Sequence, residues 1–539
     1  MGKNKRKHAG LTGGYPVSGS AQGRAAPKQQ AAPGFDAPVV YVHPAKQGLD
    51  FRPDTDFGRP YGLIPVGLPA LVNVLRAKGI QVHGVSHALE MQLDHLFNLK
   101  RWLKRHELAR IVLIDMHWYE HCYGAIEVAR AVKEILPHAW TVLGGLSATG
   151  FSREIMEKFS EVDFIIRGDA EAPLLALAQL LLQAEAGISL AEPLSRIPNL
   201  SYRLGQEVVE NLLGYTAATP DLDALDFVNL DFLDHYQAYF VHEYIVADLS
   251  MARTALEKNP YRGRWLLTAR GCKYHCSYCG GSKESHKLLA GRQGIIIRSP
   301  EKVVADLVQL QEKGLHQASM TYDIAELGED YWQALFEGMR KANVKIGLYN
   351  EFFQLPSAEF IDALARTVDM THSCVAISAL VGNERVRRMN GKHYSNERLF
   401  EILDVLNRNQ FYIFVYFSLN LPGETNQTFM ETIQLAKDIY GFYPKQQLKM
   451  LNTVHTIDPL SPMNMFADKF GVVSTMTTFM DFYDYCRNTQ RSADGAREGL
   501  YRGFDLKDPA LRSLKKMSDT WDEARQGREI SWWPIPPSW

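Results

Sequence analysis

No stretch of the 539-residue sequence reaches the roughly 20 consecutive apolar residues that cross a bilayer. The longest candidate, PLLALAQLLLQA from Pro173, is soon broken by Glu185 and Gly187 and reads as a buried or amphipathic helix. The basic start, MGKNKRKHAG, is followed by Gly, Ser, Pro and Gln with no apolar segment behind it, so a secretion signal and a membrane span are not expected and the location expected is cytoplasmic. A formal net charge of -2 supplies no broad field for nucleic acid, which is not expected as a partner. Six cysteines are too few for a disulfide framework in a chain of this length. Three of them crowd into eight residues, which in a reducing compartment points to metal.

What is present is ordinary for a globular protein: 46% hydrophobic and 22% charged residues, over a length that favours two or three domains. Residues 1–36, rich in Gly, Ala, Gln, Pro and Lys without apolar periodicity, are expected to be a disordered tail. From Pro38 the short apolar runs PVVYVHP, IQVHGVSH, ARIVLIDMH, WTVLGGL and DFIIRGDAE alternate with helix-like segments such as GLPALVNVLRAKG and YGAIEVARAVKEILP. That alternation predicts an α/β domain over 37–215 with a doubly wound, Rossmann-like parallel sheet. Residues 216–262, including DLDALDFVNLDFLDHY, read as a linker whose spaced Leu and Phe pack as a strap. Over 263–460 the alternation resumes, from WLLTARGC to LKMLNTVHTIDP, with about six strands, enough for a partial or full βα barrel. The last segment, 461–539, is polar, aromatic and irregular, and WWPIPPSW reads as an aromatic strap packed on the barrel.

The strongest local signal is TARGCKYHCSYCGGS, in which Cys272, Cys276 and Cys279 have C-x3-C-x2-C spacing. Three thiolates on one loop can each hold one iron of a [4Fe-4S] cubane and leave the fourth iron open. The alternatives are chance or a zinc site, for which His275 is the nearest fourth donor, with awkward geometry. This loop resembles that of the radical S-adenosylmethionine superfamily. The resemblance implies that the open iron takes the amino and carboxylate groups of S-adenosylmethionine, and that Tyr278 lies near the adenine. RSPEKVVADLVQLQEKG, TYD at Thr321–Asp323 and SLNLPGET resemble later family elements, so Pro422, Gly423 and Glu424 are expected at the cosubstrate, with Thr425 also able to serve as a helix N-cap. Where many relatives carry a Glu-Ser-Gly segment, this chain reads ISALVGNERVRRMNGK, and Ser378 and Gly382 are the nearest equivalents.

A doubly wound sheet ahead of such a barrel resembles the cobalamin-binding branch of the superfamily, with its class B methylases. The resemblance runs from about 38 to 460 and rests in this half on YGLIPVGLPALVNVLRAKGIQVHGV, AVKEILPHAWTVLGGLSATG and RGDAEAPLLAL. It implies cobalamin beyond the carboxyl ends of the strands, where Gly144 and Gly145 let the backbone approach a corrin and Gly168 and Glu171 form an acidic turn. Alternatively, the Gly-Gly pair merely makes a tight turn. His117 is either near the lower corrin face or a satisfied structural histidine; Asp115-Met-His117 is not the D-x-H-x-x-G signature, because position 120 is Glu. Cys122, Cys374 and Cys486 share no motif and read as buried thiols.

The resemblance implies an enzyme with a [4Fe-4S] cluster, S-adenosylmethionine and cobalamin as cofactors, which methylates an unactivated carbon or phosphorus centre of a small molecule or peptide. An electron donor such as a flavodoxin or ferredoxin is the implied partner. A cobalamin-associated radical cyclase or rearrangement enzyme, and a non-enzymatic corrinoid and redox sensor, remain as alternatives.

Overall fold

The computed structural model describes residues 35–52, 62–185, 188–246, 260–490, 503–506, 513–528 and 531–532; the tail expected over 1–36 lies almost wholly outside them. The five apolar runs of the first half become β1 (Val39–His43), β2 (Val82–Ser86), β3 (Ile111–Asp115), β4 (Trp140–Gly144) and β5 (Phe164–Ile166), all parallel. Every residue of β1, β2 and β3 is buried, which is why these strands read as continuous apolar runs rather than alternating ones. An antiparallel hairpin, β6 (Leu200–Leu204) and β7 (Glu207–Glu210), extends the sheet to the order β2-β1-β3-β4-β5-β6-β7. Strand order reverses between β1 and β3, and open sheets of this kind hold ligands in the crevice at that point, beyond the carboxyl ends of the strands.

The strap behaves as its spacing predicts. Phe227, Val228, Leu230, Phe232 and Leu233 are all buried, and Gly84 of the edge strand β2 donates to the Phe232 carbonyl at 2.8 Å. The strap thereby covers the sheet edge.

In the second half β8 (Gly263–Leu266), β11 (Gln317–Met320), β12 (Gly347–Phe352), β13 (Cys374–Leu380), β14 (Tyr412–Leu419) and β15 (Leu448–Val454) form one parallel sheet in the order β15-β14-β13-β12-β11-β8. Its end strands do not pair with each other, so the barrel is partial. A short hairpin of β9 (Ala269–Gly271) and β10 (Ile295–Ile297) flanks it. Alternation sorts the side chains: Val375, Ile377, Ile413, Val415 and Phe417 join the main core, while Tyr349, Cys374, Ala376, Phe414 and Leu451 pack together on the other face with Trp265 and Tyr416. This aromatic plug fills the base of the barrel and leaves the carboxyl-end mouth for chemistry.

The carboxyl-terminal segment is more regular than its composition suggests. Helix Phe479–Thr489 lies on the first domain, with Phe479, Phe482 and Tyr483 against Phe151, Phe159, Tyr119 and Tyr123. Helix Leu514–Ala524 lies on the barrel, where Trp521 meets Phe417 and Trp532. The buried aromatics of helix Phe479–Thr489 recur every three or four residues, a helical period that the surrounding polar residues obscure. Trp532 is fully buried and bridges Met450 of β15; residues 533–539 lie outside the described residues. Among the described residues no helix is long and apolar enough to cross a membrane.

Candidate functional site

The loop that carries Cys272, Cys276 and Cys279 leaves β9 and ends at Ser282, whose hydroxyl caps helix Lys283–Ala290 by accepting from the Ser285 amide at 3.3 Å. All three thiols are half-buried. The amides of Tyr274 and Gly281 point at the sulfurs of Cys272 and Cys279, each at 3.4 Å, an arrangement that favours thiolate. Burial pushes all three thiols above their usual pKa, so holding three bare sulfurs here requires a cationic ligand. Among the described residues no three His, Cys, Asp or Glu side chains converge on a single metal ion. A cubane needs its sulfurs spread, one to each iron. His275 is exposed and paired with Glu284, turned away from such a role. The donor set therefore fits an iron–sulfur cluster with one open iron.

Around the loop, sequence-predicted residues and unpredicted ones meet. The Tyr278 ring stacks on His455, with centroids 4.9 Å apart, beside Leu380, Val381, Val386 and Leu421. Ser378 donates from its hydroxyl to Glu351 at 2.9 Å, which puts a carboxylate on the face of the sheet that holds the plug, near the mouth. The Pro422 carbonyl accepts from the Asn390 side chain at 2.9 Å, and Asn390 also bonds Ser277 of the cluster loop, which ties the PGE turn to the cysteines. Gly423 has φ +82°, and Glu424 next to it is almost fully buried. Burial raises the Glu424 carboxyl to about 8, so it is mostly protonated at neutral pH. Thr425 caps helix Asn426–Phe442, as its position allows. Asp323 of the TYD segment is stitched to the end of β12 through the Asn350 side chain and the Phe353 amide.

Gly382, next to Val381, packs on a helix instead of on the cluster loop. Its amide donates to Thr432 at 2.9 Å, and a Cβ there would run into the Glu431 carbonyl, so this glycine serves the approach of helix Asn426–Phe442. The glycine pressed onto the cluster loop from outside it is Gly391, with φ +97°, against Cys276. Its neighbour Lys392 is buried, bonds the Phe353 carbonyl at 2.8 Å and pulls the Cys272 and Cys276 thiols down against the upward push of burial.

On the first sheet, the turns after β3, β4 and β5 are bonded in series. Gly145 has φ +113°, and a Cβ on it would stand 2.6 Å from the His117 Cα. Ser147 donates to the His117 carbonyl at 3.1 Å; Thr149 donates to Gly145 at 2.8 Å and accepts from the Gly168 amide at 3.0 Å. Loss of water holds the His117 imidazole at about 4, hence neutral. Asp115 does not serve His117: it pairs with His43 at 2.9 Å and accepts from the Tyr41 hydroxyl at 2.8 Å. Gly144 closes β4 at the edge of an apolar slot between helices Gly67–Ala77 and Glu171–Gln183, lined by Tyr41, Leu71, Leu113, Asp115 and Leu174. A slot with one polar end, at the crevice where the strand order reverses, fits part of a large flat cofactor such as a corrinoid. Glu171 points out of this neighbourhood, to Arg270 at 2.6 Å.

These turns pack on the helix that follows the cluster loop and on the segment after β15. A Cβ on Gly168 would meet Ala290 at 3.1 Å, at the end of the helix that leaves the cluster loop, and one on Gly150 would meet Leu460 at 2.5 Å.

Two family models match the chain, a B12 binding domain over residues 59–178 and the radical SAM superfamily over residues 266–436. The anaerobic magnesium-protoporphyrin IX monomethyl ester cyclase of Cereibacter sphaeroides is 22% identical over 362 residues, covering 65% of this chain and 53% of that protein. The hopanoid C-3 methylase of Methylococcus capsulatus is 23% identical over 286 residues, covering 52% and 47%. The chain thus spans about half the length of the curated relatives it matches. Among solved structures, the radical S-adenosylmethionine methyltransferase TsrM from Kitasatospora setae, with cobalamin and a [4Fe-4S] cluster bound, shares the fold with a TM-score of 0.64 at 15% identity, over 91% of this chain and 92% of that one. The cobalamin-dependent radical enzyme OxsB with aqua-cobalamin bound has a TM-score of 0.55 at 12% identity, over 91% and 67%. The chain therefore carries a radical SAM superfamily domain behind a B12 binding domain, and the cofactors of that pairing are a [4Fe-4S] cluster, S-adenosylmethionine and cobalamin.

Proposed function

We propose that this protein is a cobalamin-dependent radical S-adenosylmethionine methyltransferase that acts on an unactivated carbon or phosphorus centre of a small molecule or peptide, with a flavodoxin or ferredoxin as electron donor. The observation that carries the reading is the packing of the turn after β5 onto the helix that leaves the cluster loop, Gly168 against Ala290. A group passed between two cofactors must not meet water, and a turn of the first sheet packed on the helix after the cluster loop supports a closed site shared by the two. When bound, the cluster and S-adenosylmethionine supply radical chemistry and the corrinoid supplies methyl carriage.

The protein's own part is to bind, orient and exclude water. Cys272, Cys276 and Cys279 hold the cluster. Tyr278, Ser378 and Pro422–Glu424 surround the cosubstrate, with Gly391 and Lys392 taking the place that the family motif suggests for Gly382. Gly144, Gly145, Gly168 and the neutral His117 face the corrinoid; an uncharged imidazole neither repels a cobalt cation nor forfeits its lone pair. The aromatic plug of Trp265, Tyr349, Phe414 and Tyr416 keeps the base of the barrel dry.

A second reading, a radical cyclase or rearrangement enzyme, draws on the likeness to the Cereibacter cyclase. Anaerobic reconstitution with both cofactors, a reductant and a metabolite extract, followed by mass analysis, separates the two. Methylation adds one methyl group to the product, and cyclisation or rearrangement adds none.

A further inference from the structure

The acidic turn after β5 has a use that cofactor binding does not explain. Asp169 is buried and meets two guanidinium groups, Arg270 at 3.0 Å and Arg292, while Glu171 takes the other arm of Arg270. The same carboxylate accepts from the Ala217 amide at 2.8 Å. The positions of the two arginines in the chain matter. Arg270 is in β9, two residues before Cys272; Arg292 follows helix Lys283–Ala290, bonded through its amide to the His286 carbonyl at 3.1 Å. The cluster loop and its helix are thus one excursion of the chain, and Asp169 grips both ends of it. Neither end can slip: β9 is held in antiparallel register with β10, Gly271 opposite Ile295.

On its other side Asp169 follows Gly168, whose amide is held by Thr149, and Thr149 holds Gly145, which abuts His117. A continuous series of contacts therefore runs from the turns that face the corrinoid to the root of the cluster loop, and Asp169 is the carboxylate in it that meets both arginines.

We propose that Asp169, with Arg270, Arg292 and Glu171, is a positioning latch that fixes the separation and angle between the corrinoid and the cluster. The proposal rests on the function proposed above. Buried ion pairs are poor sources of net stability but costly to break on one side, so the benefit of this one is sought in geometry. The latch assigns Glu171 to Arg270 rather than to cobalamin.

The test uses the full chain, reconstituted anaerobically, with Asp169→Asn. Two measurements are read: hydrogen exchange over residues 269–292, and the spin–spin coupling between the reduced cluster and cob(II)alamin. The latch predicts that D169N still binds iron and cobalamin, that exchange over 269–292 rises at least about tenfold while the core of the first sheet is unchanged, and that the single coupling of the wild type broadens into a distribution. Exchange and coupling equal to wild type would overturn it. Should D169N fail to fold, Arg292→Lys, which keeps the charge but loses the planar fork, reads the same two quantities with the same expected and overturning results. A wild-type chain that binds the cluster but no cobalamin would remove the proposed function, and the exchange measurement alone would then decide whether the latch holds the cluster loop.

Discussion

A Cβ placed on Gly391 would stand 2.7 Å from the sulfur of Cys276, so the turn after helix Glu384–Met389 is pressed directly onto the cluster loop. With φ +97° this residue also occupies backbone space that other residues enter only with strain. Gly391→Ala is therefore expected to fold but to displace Cys276, and to lower iron content after reconstitution from about four atoms per chain to about two or fewer. Iron and sulfide analysis beside a circular dichroism spectrum checks it.

Lys392 places a buried positive charge where it acts on both Cys272 and Cys276. Lys392→Met removes that charge while keeping most of the volume. The reduced cluster carries one more negative charge than the oxidised one, so its midpoint potential should fall by about 50 mV or more. A redox titration followed by electron paramagnetic resonance reads the shift, and an unchanged potential would mean the charge is fully screened at the cluster.

Glu424 gives a pH signature. Its folded pKa, about 8, lies above the ordinary glutamate value because of burial, so the folded state binds a proton that the unfolded state has released across the window between. The stability this group contributes is full below the unfolded value and is lost as pH rises toward about 8. Glu424→Gln removes the dependence: it should leave the apo-protein unchanged near pH 4.5 and stabilise it near pH 8 by at most about 4 kcal/mol. Thermal melts of both proteins at the two pH values provide the comparison.

Gly145→Ala tests the turn that faces the corrinoid. The added methyl would strike the His117 backbone at a φ of +113°, with an expected cost of about 2–4 kcal/mol in the first domain. Because the β3 and β4 turns would have to separate, cobalamin affinity should drop at least about tenfold in a chain that still takes up iron. Spectroscopic titration with cobalamin measures it.

Much of this architecture was legible in the sequence for identifiable reasons. Strands buried on both faces, such as VVYVH and IVLID, announce themselves as uninterrupted apolar runs, and three cysteines in eight residues need no tertiary information. The hairpin of β6 and β7 is not legible in the sequence: its strands are short, half-polar and joined at Gly205, and they resemble loop. Gly391 and Lys392 were equally hidden, because nothing in M-N-G-K signals contact with a loop more than a hundred residues away. Gly382 occupies a motif position, yet its missing side chain makes room for a helix backbone. Arg270 and Arg292 bracket the cluster excursion in sequence, but only the fold shows that one aspartate holds both.

The central claim, methyl transfer at a chamber shared by the two cofactors, is tested most directly by following the methyl group. The full chain, reconstituted anaerobically with cluster and cobalamin, is supplied with reductant, a metabolite extract and S-adenosylmethionine carrying an isotopically labelled methyl. The account predicts a product whose mass exceeds that of its precursor by one labelled methyl group, absent when Cys272, Cys276 and Cys279 are replaced by alanine. A cysteine-dependent product that contains no label would contradict it and identify a cyclase or rearrangement enzyme instead.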